Sequence, residues 1–528
     1  MDHSSPLIQS LLSPKIWPDN PDRVELIETH ISWVLITRDF AWKLRKPVSF
    51  GFIDFSTPEL RLHYADEEFR LNRRTSPKLY LDVVPITGTF DQPVIGGDGP
   101  VIEYAVKMRR FEQDQLLLRI ANTGPLDLRV VMQLAETLAD FHQHVEIAEA
   151  ASSFGSFDAV RQDALDNFST LKALLPPDAP ELSTLARLEA WTHAELKRLE
   201  PEIQQRHRSG KVRECHGDLH LANIVMINDR PMLFDCLEFN EQLRWIDVMN
   251  EIAFLVMDLE EHRQQVASRV LLNRYLEVTG DYEGLRILRF YIVYRALVRA
   301  KVDLLRCQQS HDSKTVCRMR RESAEYLRLA AADSSPSQPM LIIMHGISGS
   351  GKSFVSAKLI EATHAIRIRS DIERKRLSGI DESEHRHGNA AEQLYSQNQS
   401  VLTYQRLLQL SETILFAGDS VVVDATFLSK DRRNSFRELA SRRSVPFLIV
   451  ACEAPLEVLR QRVAARNALG NDVSDADPAV LENQLAIDSQ IDQEPGDEVL
   501  RIDTSADADI QRGIGRLQQM MNPQTRTS

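Results

Sequence analysis

Three side chains close together in the sequence are of the kinds that phosphoryl transfer needs. Asp218 lies in HGDLH, Asn223 follows it by five positions, and Asp235 follows Asn223 by twelve, at the end of the apolar run PMLF. A carboxylate at Asp218 can orient a hydroxyl and accept its proton. The Asn223 amide oxygen and the Asp235 carboxylate can hold magnesium on the phosphates of a nucleotide. A polar hairpin whose His and Asp merely satisfy turn hydrogen bonds is the plainer alternative, and the joint spacing of three groups weighs against it. The same chemistry asks for a strand lysine and a helical acid paired with it. FAWKLRKPV offers Lys43, with Lys46 as competitor, and YADEEFRLNRR offers Glu68, with Glu67 as competitor. No G-x-G-x-x-G precedes Lys43, and ITRDFAW contains no glycine, so a different turn must cover the nucleotide.

More than a hundred residues later comes a second phosphate cradle. GISGSGKS, spanning Gly346, Ser348, Gly349, Ser350, Gly351, Lys352 and Ser353, is a complete G-x-x-x-x-G-K-[ST] between an apolar strand and an amphipathic segment. Its glycines let backbone N–H groups face phosphates, Lys352 neutralises charge, and the Ser353 hydroxyl can ligate magnesium. Asp371 and Arg374 lie three apart in IRIRSDIERKR, on an opening helical turn, where Asp371 could also serve only as an N-cap. VVVDATF places Asp424 at a strand end, as a metal-side carboxylate requires, without the following Glu of water-activating ATPases. Arg462 and Arg466 share a helix face at i, i+4. They read either as a solvated face or as part of a lid over transferred phosphate.

The elements that position these groups divide into two sets. Residues 30–110 read as mostly strand, with a helix over YADEEFRLNRRT. From Leu128 to His142 apolar residues recur at helical spacing, and most of 160–205 and 243–330 is also helical. A small strand-rich lobe, about 20–110, therefore precedes a helical lobe, 111–330, with 105–112 as the joint. AADSSPSQP, residues 331–339, is small, polar and Pro-containing and reads as a linker. Beyond it, in 340–528, MLIIMH, AIRIR, SVVVDA, PFLIVAC and EVLRID alternate with helices, the pattern of a five-stranded parallel sheet covered on both faces.

On HGDLHLANI and LFDCLEF, residues 20–330 resemble the aminoglycoside-phosphotransferase-like kinase superfamily, in the bacterial branch fused to a P-loop domain. The resemblance implies a two-lobed protein-kinase-like fold and transfer to a small-molecule hydroxyl. Asp218 would stand at the catalytic position, and Asn223 and Asp235 at the metal-ligand positions. Residues 340–510 resemble the P-loop kinases that include polynucleotide 5′-kinases, zeta toxins and chloramphenicol phosphotransferase. That resemblance implies Asp371 as base and Arg374 as substrate or phosphate contact. The chain as a whole is expected to be α/β and α+β, a kinase-like domain followed by a P-loop α/β/α sandwich.

Composition bounds the partners. Sixty-three Lys and Arg against 76 Asp and Glu give a net charge of -13, which argues against a nonspecific nucleic-acid binder. Five scattered cysteines without a CxxC pair read as reduced thiols of a cytoplasmic protein. The sequence has no signal-peptide pattern and no apolar run long enough for a membrane span. The leading expectation is a cytoplasmic ATP- and magnesium-dependent kinase with two sites and small-molecule acceptors. The alternatives are a nucleotide-binding regulator with one degenerate domain, and a nucleic-acid end kinase served by Arg432, Arg433, Arg442 and Arg443. Arg295 and Arg299, four apart in FYIVYRALVRAKVDLLRC, further suggest that the first acceptor is not a polycation.

Overall fold

The computed structural model describes residues 5–50, 53–310, 312–336, 338–380, 396–469, 481–482, 484–485, 491, 494–495 and 498–521. The chain divides into two compact units. One comprises Met1–Gln264 and Phe290–Asp333, the other Gln265–Arg289 and Ser334–Ser528.

The first unit opens with a six-stranded antiparallel sheet. Its strands are β1 (Glu25–Glu28), β2 (Ser32–Ile36), β3 (Phe40–Arg45), β4 (Tyr80–Thr89), β5 (Gln92–Ile95) and β6 (Val101–Arg109), in the order β1-β2-β3-β6-β4-β5. Trp42 and Leu44 of β3 point to one face, where they pack with Leu7, Leu11 and Trp17 from the N-terminal segment. Strand alternation then sends Lys43 and Arg45 to the opposite face, towards helix α1 (Pro58–Arg73). Thr57 caps α1, accepting from the Leu60 amide at 3.3 Å, with proline at the first turn.

A helical lobe follows, built on α2 (Leu128–His144), α3 (Phe157–Leu174), α4 (Glu181–Arg208) and α5 (Val248–Glu261). Twelve of the fourteen residues of α5 are buried, so it forms the lobe's interior. Two short antiparallel pairs lie in this lobe. β7 (Val212–Glu214) pairs with β10 (Trp245–Asp247), and β8 (Ile224–Ile227) pairs with β9 (Arg230–Leu233). Asn228 and Asp229 join β8 to β9 with φ of 51° and 59°, the left-handed pair that a tight two-residue hairpin requires.

In the second unit five strands form a wholly parallel sheet: β11 (Leu341–His345), β12 (Ile366–Arg369), β13 (Val421–Asp424), β14 (Phe447–Glu453) and β15 (Val499–Asp503), in the order β12-β13-β11-β14-β15. These are the five strands expected from the apolar runs. All five residues of β11 and all four of β13 are buried, as central strands of a doubly covered sheet must be. From sequence the first domain is expected to end at residue 330. The contacts instead group α6 (Gln265–Thr279) with the P-loop unit. The reason is an edge strand: Asn273 of α6 accepts from the Arg367 amide at 2.7 Å and donates to the Ala365 carbonyl at 3.1 Å, while Glu277 pairs with the Arg367 side chain at 2.8 Å. These contacts satisfy and cover polar groups of β12 that an edge would leave open.

Candidate functional sites

The first site forms where β3, α1 and the two β8–β9 flanks meet. The hairpin returns the chain so that Phe234 donates its amide to the Asn223 carbonyl at 3.0 Å, which places Asp235 beside the loop of Asp218. Asp235 has φ of 61°, a left-handed conformation uncommon for an L-residue that fixes the direction of its carboxylate. Lys43 Nζ lies 2.8 Å from Glu68 Oε1 and 2.6 Å from Asp235 Oδ1. Of the sequence competitors, Lys46 pairs with Glu28 at 2.7 Å and Glu67 pairs with Arg70 at 2.9 Å. Burial alone would lower the Lys43 pKa; Asp235 and Glu68 reverse this and hold the ammonium charged. Burial opposes the charge on Asp235, and Lys43 more than offsets it.

Asn223 Nδ2 donates to the Asp218 carbonyl at 2.9 Å and to its Oδ2 at 3.2 Å, while His220 Nε2 lies 3.4 Å from the same oxygen. Burial pushes the Asp218 pKa up, but His220 and Arg299 outweigh it, and the carboxyl stays ionised well below the usual range. The Asp218 side chain is nonetheless 41% exposed and open to a substrate.

Side chains the sequence reading did not single out as site residues hold the loop. Gly217 has φ of +85°, and a Cβ there would lie 3.0 Å from the Leu243 carbonyl oxygen and 3.1 Å from Arg244 Cβ, which accounts for glycine at this position. From α5, Glu251 accepts from the Gly217 amide at 2.7 Å and Asp258 accepts from the Leu221 amide at 2.7 Å. The other Glu251 oxygen meets His142 Nε2 at 2.9 Å. His216 Nε2 donates to the Phe234 carbonyl at 2.9 Å. Arg45 forms ion pairs with Glu68 and, at 2.6 Å, with Glu238. The available signal was spacing: Arg45 is two after Lys43 on the same strand face, and Glu238 is three after Asp235.

Two further arginines were expected to face an acceptor from α7 (Leu285–Gln309). Arg295 is buried, donating to Asn250 Oδ1 at 2.6 Å and to the Gly217 carbonyl at 3.4 Å, with its guanidinium 4.7 Å from the Phe254 ring centroid. Arg299 lies over Tyr326 on α8 (Ser313–Asp333), and its charge acts on Asp258 and Asp218. Both arginines thus contact protein groups, as the plainer reading of such a pair would have it. A cleft of about 540 Å³, counting its open mouth, lies against Arg295 and Asn250 and is lined by Phe154, Asp163, Trp245 and Tyr294.

The second site begins where β11 ends. Gly346, Gly349 and Gly351 have φ of 142°, 82° and 84°, so the loop takes a path closed to most other residues before α9 (Lys352–Ala362). The Lys352 ammonium donates to the Ile347 carbonyl at 2.9 Å, curled over the loop. Ser348 donates its amide to Gln484 Oε1 at 2.7 Å. The buried Ser350 hydroxyl oxygen has no hydrogen-bond partner among the described residues. Ser353 is exposed at the mouth. Asp424, at the carboxyl end of β13, accepts from Ser356 Oγ of α9 at 3.1 Å and lies 3.9 Å from Arg369. Asp371 and Arg374, on α10 (Ser370–Leu377), pair at 2.6 Å. The guanidinium of Arg462, on α13 (Leu456–Leu469), donates to the Gly349 carbonyl at 3.3 Å and to Thr504 Oγ1 and carbonyl at 2.9 and 2.7 Å. In this state Arg462 braces the loop from outside. The side chain of Arg466 lies outside the described residues.

The set fits a magnesium nucleotide at both places. Asn223 and Asp235 in the first, and Ser353 with Asp424 in the second, are hard oxygen donors of the kind magnesium takes. Among the described helices none is long and apolar enough to cross a membrane.

The profile of the phosphotransferase enzyme family matches residues 96–288, and that of an AAA domain matches 341–487. Uncharacterized proteins of Mycobacterium tuberculosis (strain H37Rv) and Mycobacterium bovis are each 29% identical over 451 residues, covering 85% of this chain and 88% of theirs. Among solved structures, Plasmodium vivax ethanolamine kinase is similar over 57% of this chain and 81% of its own, at 10% identity and a TM-score of 0.37. A Sinorhizobium meliloti gluconokinase covers 36% of this chain and 99% of its own, at 21% identity and a TM-score of 0.24. One polypeptide thus carries two separate matches, to the phosphotransferase enzyme family in its first part and to an AAA domain in its second.

Proposed function

We propose that the chain is an ATP- and magnesium-dependent phosphotransferase with a separate site in each unit, each acting on hydroxyls of small molecules. The observation that carries this is the position of Lys43, bonded at once to Glu68 and to Asp235 while Asp218 and Asn223 pair beside them. The Lys43 ammonium, held by Glu68, contacts nucleotide phosphate. Asp218 orients the acceptor hydroxyl and takes its proton as the oxygen attacks the γ-phosphorus, whose bond to the β,γ-bridging oxygen breaks to release ADP. Asn223 and Asp235 would hold the metal. Magnesium, when bound, offsets the phosphate charge and fixes its orientation. The intact set favours an active enzyme over a degenerate scaffold.

In the second unit Lys352 and the loop amides hold the β- and γ-phosphates. Ser353 and Asp424 occupy the metal side, and Asp371, oriented by Arg374, takes the acceptor proton. The net charge of -13 favours small molecules over nucleic acid in both sites. The testing experiment is transfer from γ-labelled ATP into metabolite extract by the whole chain and by its Asp218→Asn, Lys352→Ala and doubly substituted forms. Each single variant should lose a different set of labelled products and the double variant all of them. Identical product sets from both single variants would refute separate sites.

A further inference from the structure

Arginines in the P-loop unit are mostly committed to carboxylates. Arg433 pairs with Glu494 at 2.8 Å, Arg437 with Glu498 at 2.8 Å, Arg374 with Asp371 at 2.6 Å, and Arg443 with Glu412 at 2.8 Å. Arg432, at the start of α12 (Lys430–Arg443), differs. It is half-buried, and among the described residues it has no carboxylate partner. Its guanidinium lies 4.0 Å from the centroid of the Tyr404 ring on α11 (Gln397–Ala417), and Nη2 donates to Ser400 Oγ at 2.9 Å. A half-buried cation held over an aromatic ring has lost part of its water and some of its rotamer freedom before any ligand arrives.

Tyr404 ties this cation to the site. Its hydroxyl accepts from the Phe427 amide at 3.2 Å and lies 3.3 Å from Thr426 Oγ1. The Thr426 carbonyl in turn accepts from the Gly346 amide, the first residue of the phosphate loop, at 3.2 Å. Arg432 therefore stands at the carboxyl edge of the parallel sheet, where open α/β sheets place their ligands. Arg369 ends β12 on that same edge, in register with Asp424, and Arg374 follows on α10. Three arginines thus stand on elements that start or end at this edge, together with the two carboxylates Asp371 and Asp424 assigned to proton and metal.

We infer that the acceptor of the P-loop unit is a small hydroxylated anion, bearing a phosphate, sulfate or carboxylate group, and that Arg432 binds the anionic group. The inference rests on the reading of this unit as a phosphotransferase. Planar, preorganised guanidinium recognises oxyanions through paired N–H donors, and an unpaired cation here would repel a cationic acceptor.

The test uses the full chain carrying Asp218→Asn, with the same chain carrying Lys352→Ala as well for background. A metabolite extract is separated on an anion exchanger into retained and unretained fractions, and each is incubated with γ-labelled ATP. Label above background should appear in products of the retained fraction. Arg432→Gln should raise the KM for that fraction about tenfold or more with kcat little changed, and Arg432→Lys should restore part of the loss. Sodium sulfate should compete with the acceptor in the parent and much less in Arg432→Gln. Products from the unretained fraction alone, or an unchanged KM in Arg432→Gln, would overturn the inference. Label in neither fraction would overturn the phosphotransferase reading of the unit on which it stands.

Discussion

On the proposed reading the two candidate sites would solve one problem, holding phosphates and a hydroxyl in line, with opposite economies of sequence. The P-loop cradle is eight consecutive residues, and its shape comes from three glycines at positive φ. The first site gathers Lys43 and Asp235 from 192 positions apart, and its loop is held by side chains of a buried helix rather than by its own backbone freedom. A contiguous cradle depends on local conformation. A distributed one depends on the packing of the whole lobe, so substitutions far from the chemistry should reach it.

The sharpest break in the comparison is chemical. Asp218→Asn should lower transfer in the first unit about 10²–10⁴-fold, the usual range for a lost general base, while leaving second-unit products unchanged. Asp235→Ala should also weaken magnesium-dependent nucleotide binding. Product-resolved turnover of labelled ATP checks both, and wild-type first-unit turnover in Asp218→Asn would remove Asp218 from its assigned role. Because His220 and Arg299 keep Asp218 ionised, first-unit kcat should show no carboxylate titration between pH 5 and 8.

Next comes support at a distance. Glu251→Leu removes the carboxylate that the Gly217 amide donates to and that the His142 ring contacts in a buried place. We expect a destabilisation on the order of 3 kcal/mol, read from denaturant midpoints, together with loss of first-unit activity. A midpoint equal to wild type would mean that the loop holds itself.

For the local cradle the matching change is Gly349→Ala. The position has φ of 82°, and an added Cβ would lie 2.8 Å from the Leu459 carbonyl oxygen. Strain of about 1–3 kcal/mol is expected. It should appear as weaker nucleotide binding by the second unit in calorimetry, with first-unit turnover intact.

The smallest effect concerns pH. Burial, with Arg433 and Lys352, lowers the pKa of His345 to about 4 from an ordinary 6.5. The unfolded chain therefore binds the proton more readily. The stability this histidine contributes is fully present above pH 6.5 and is lost as pH falls towards 4. Thermal melts of the full chain at pH 7.5 and 5.0 should show the second unit losing stability, and His345→Asn should flatten that dependence. An equal decline in the variant would assign it to other groups.

Legibility followed the same division. Gly346, Gly349, Gly351 and Lys352 could be read directly, because a short contiguous motif carries its own backbone requirements. The five parallel strands could be read because buried strands are continuous apolar runs. Lys43, Glu68, Asp218, Asn223 and Asp235 could be named from type and spacing, but their meeting could not be read off, since it depends on the Asn228–Asp229 turn and on the alternation of β3. Arg45 and Glu238 were passed over because each looks like an ordinary surface charge until both are buried together.

By itself, then, the sequence determined the two kinase-like modules, the order of their strands and helices, and the residue types able to do chemistry. Only the tertiary structure decided which charges meet. It gave Arg295 to Asn250 and the Gly217 carbonyl and Arg462 to Thr504, and it left Arg432 on Tyr404 with no acid among the described residues. It also gave α6 to the P-loop unit through Asn273. The physical reason is that propensity and hydrophobic period act over a few residues, whereas the pairing of buried polar groups is set by whatever the fold brings within hydrogen-bond reach.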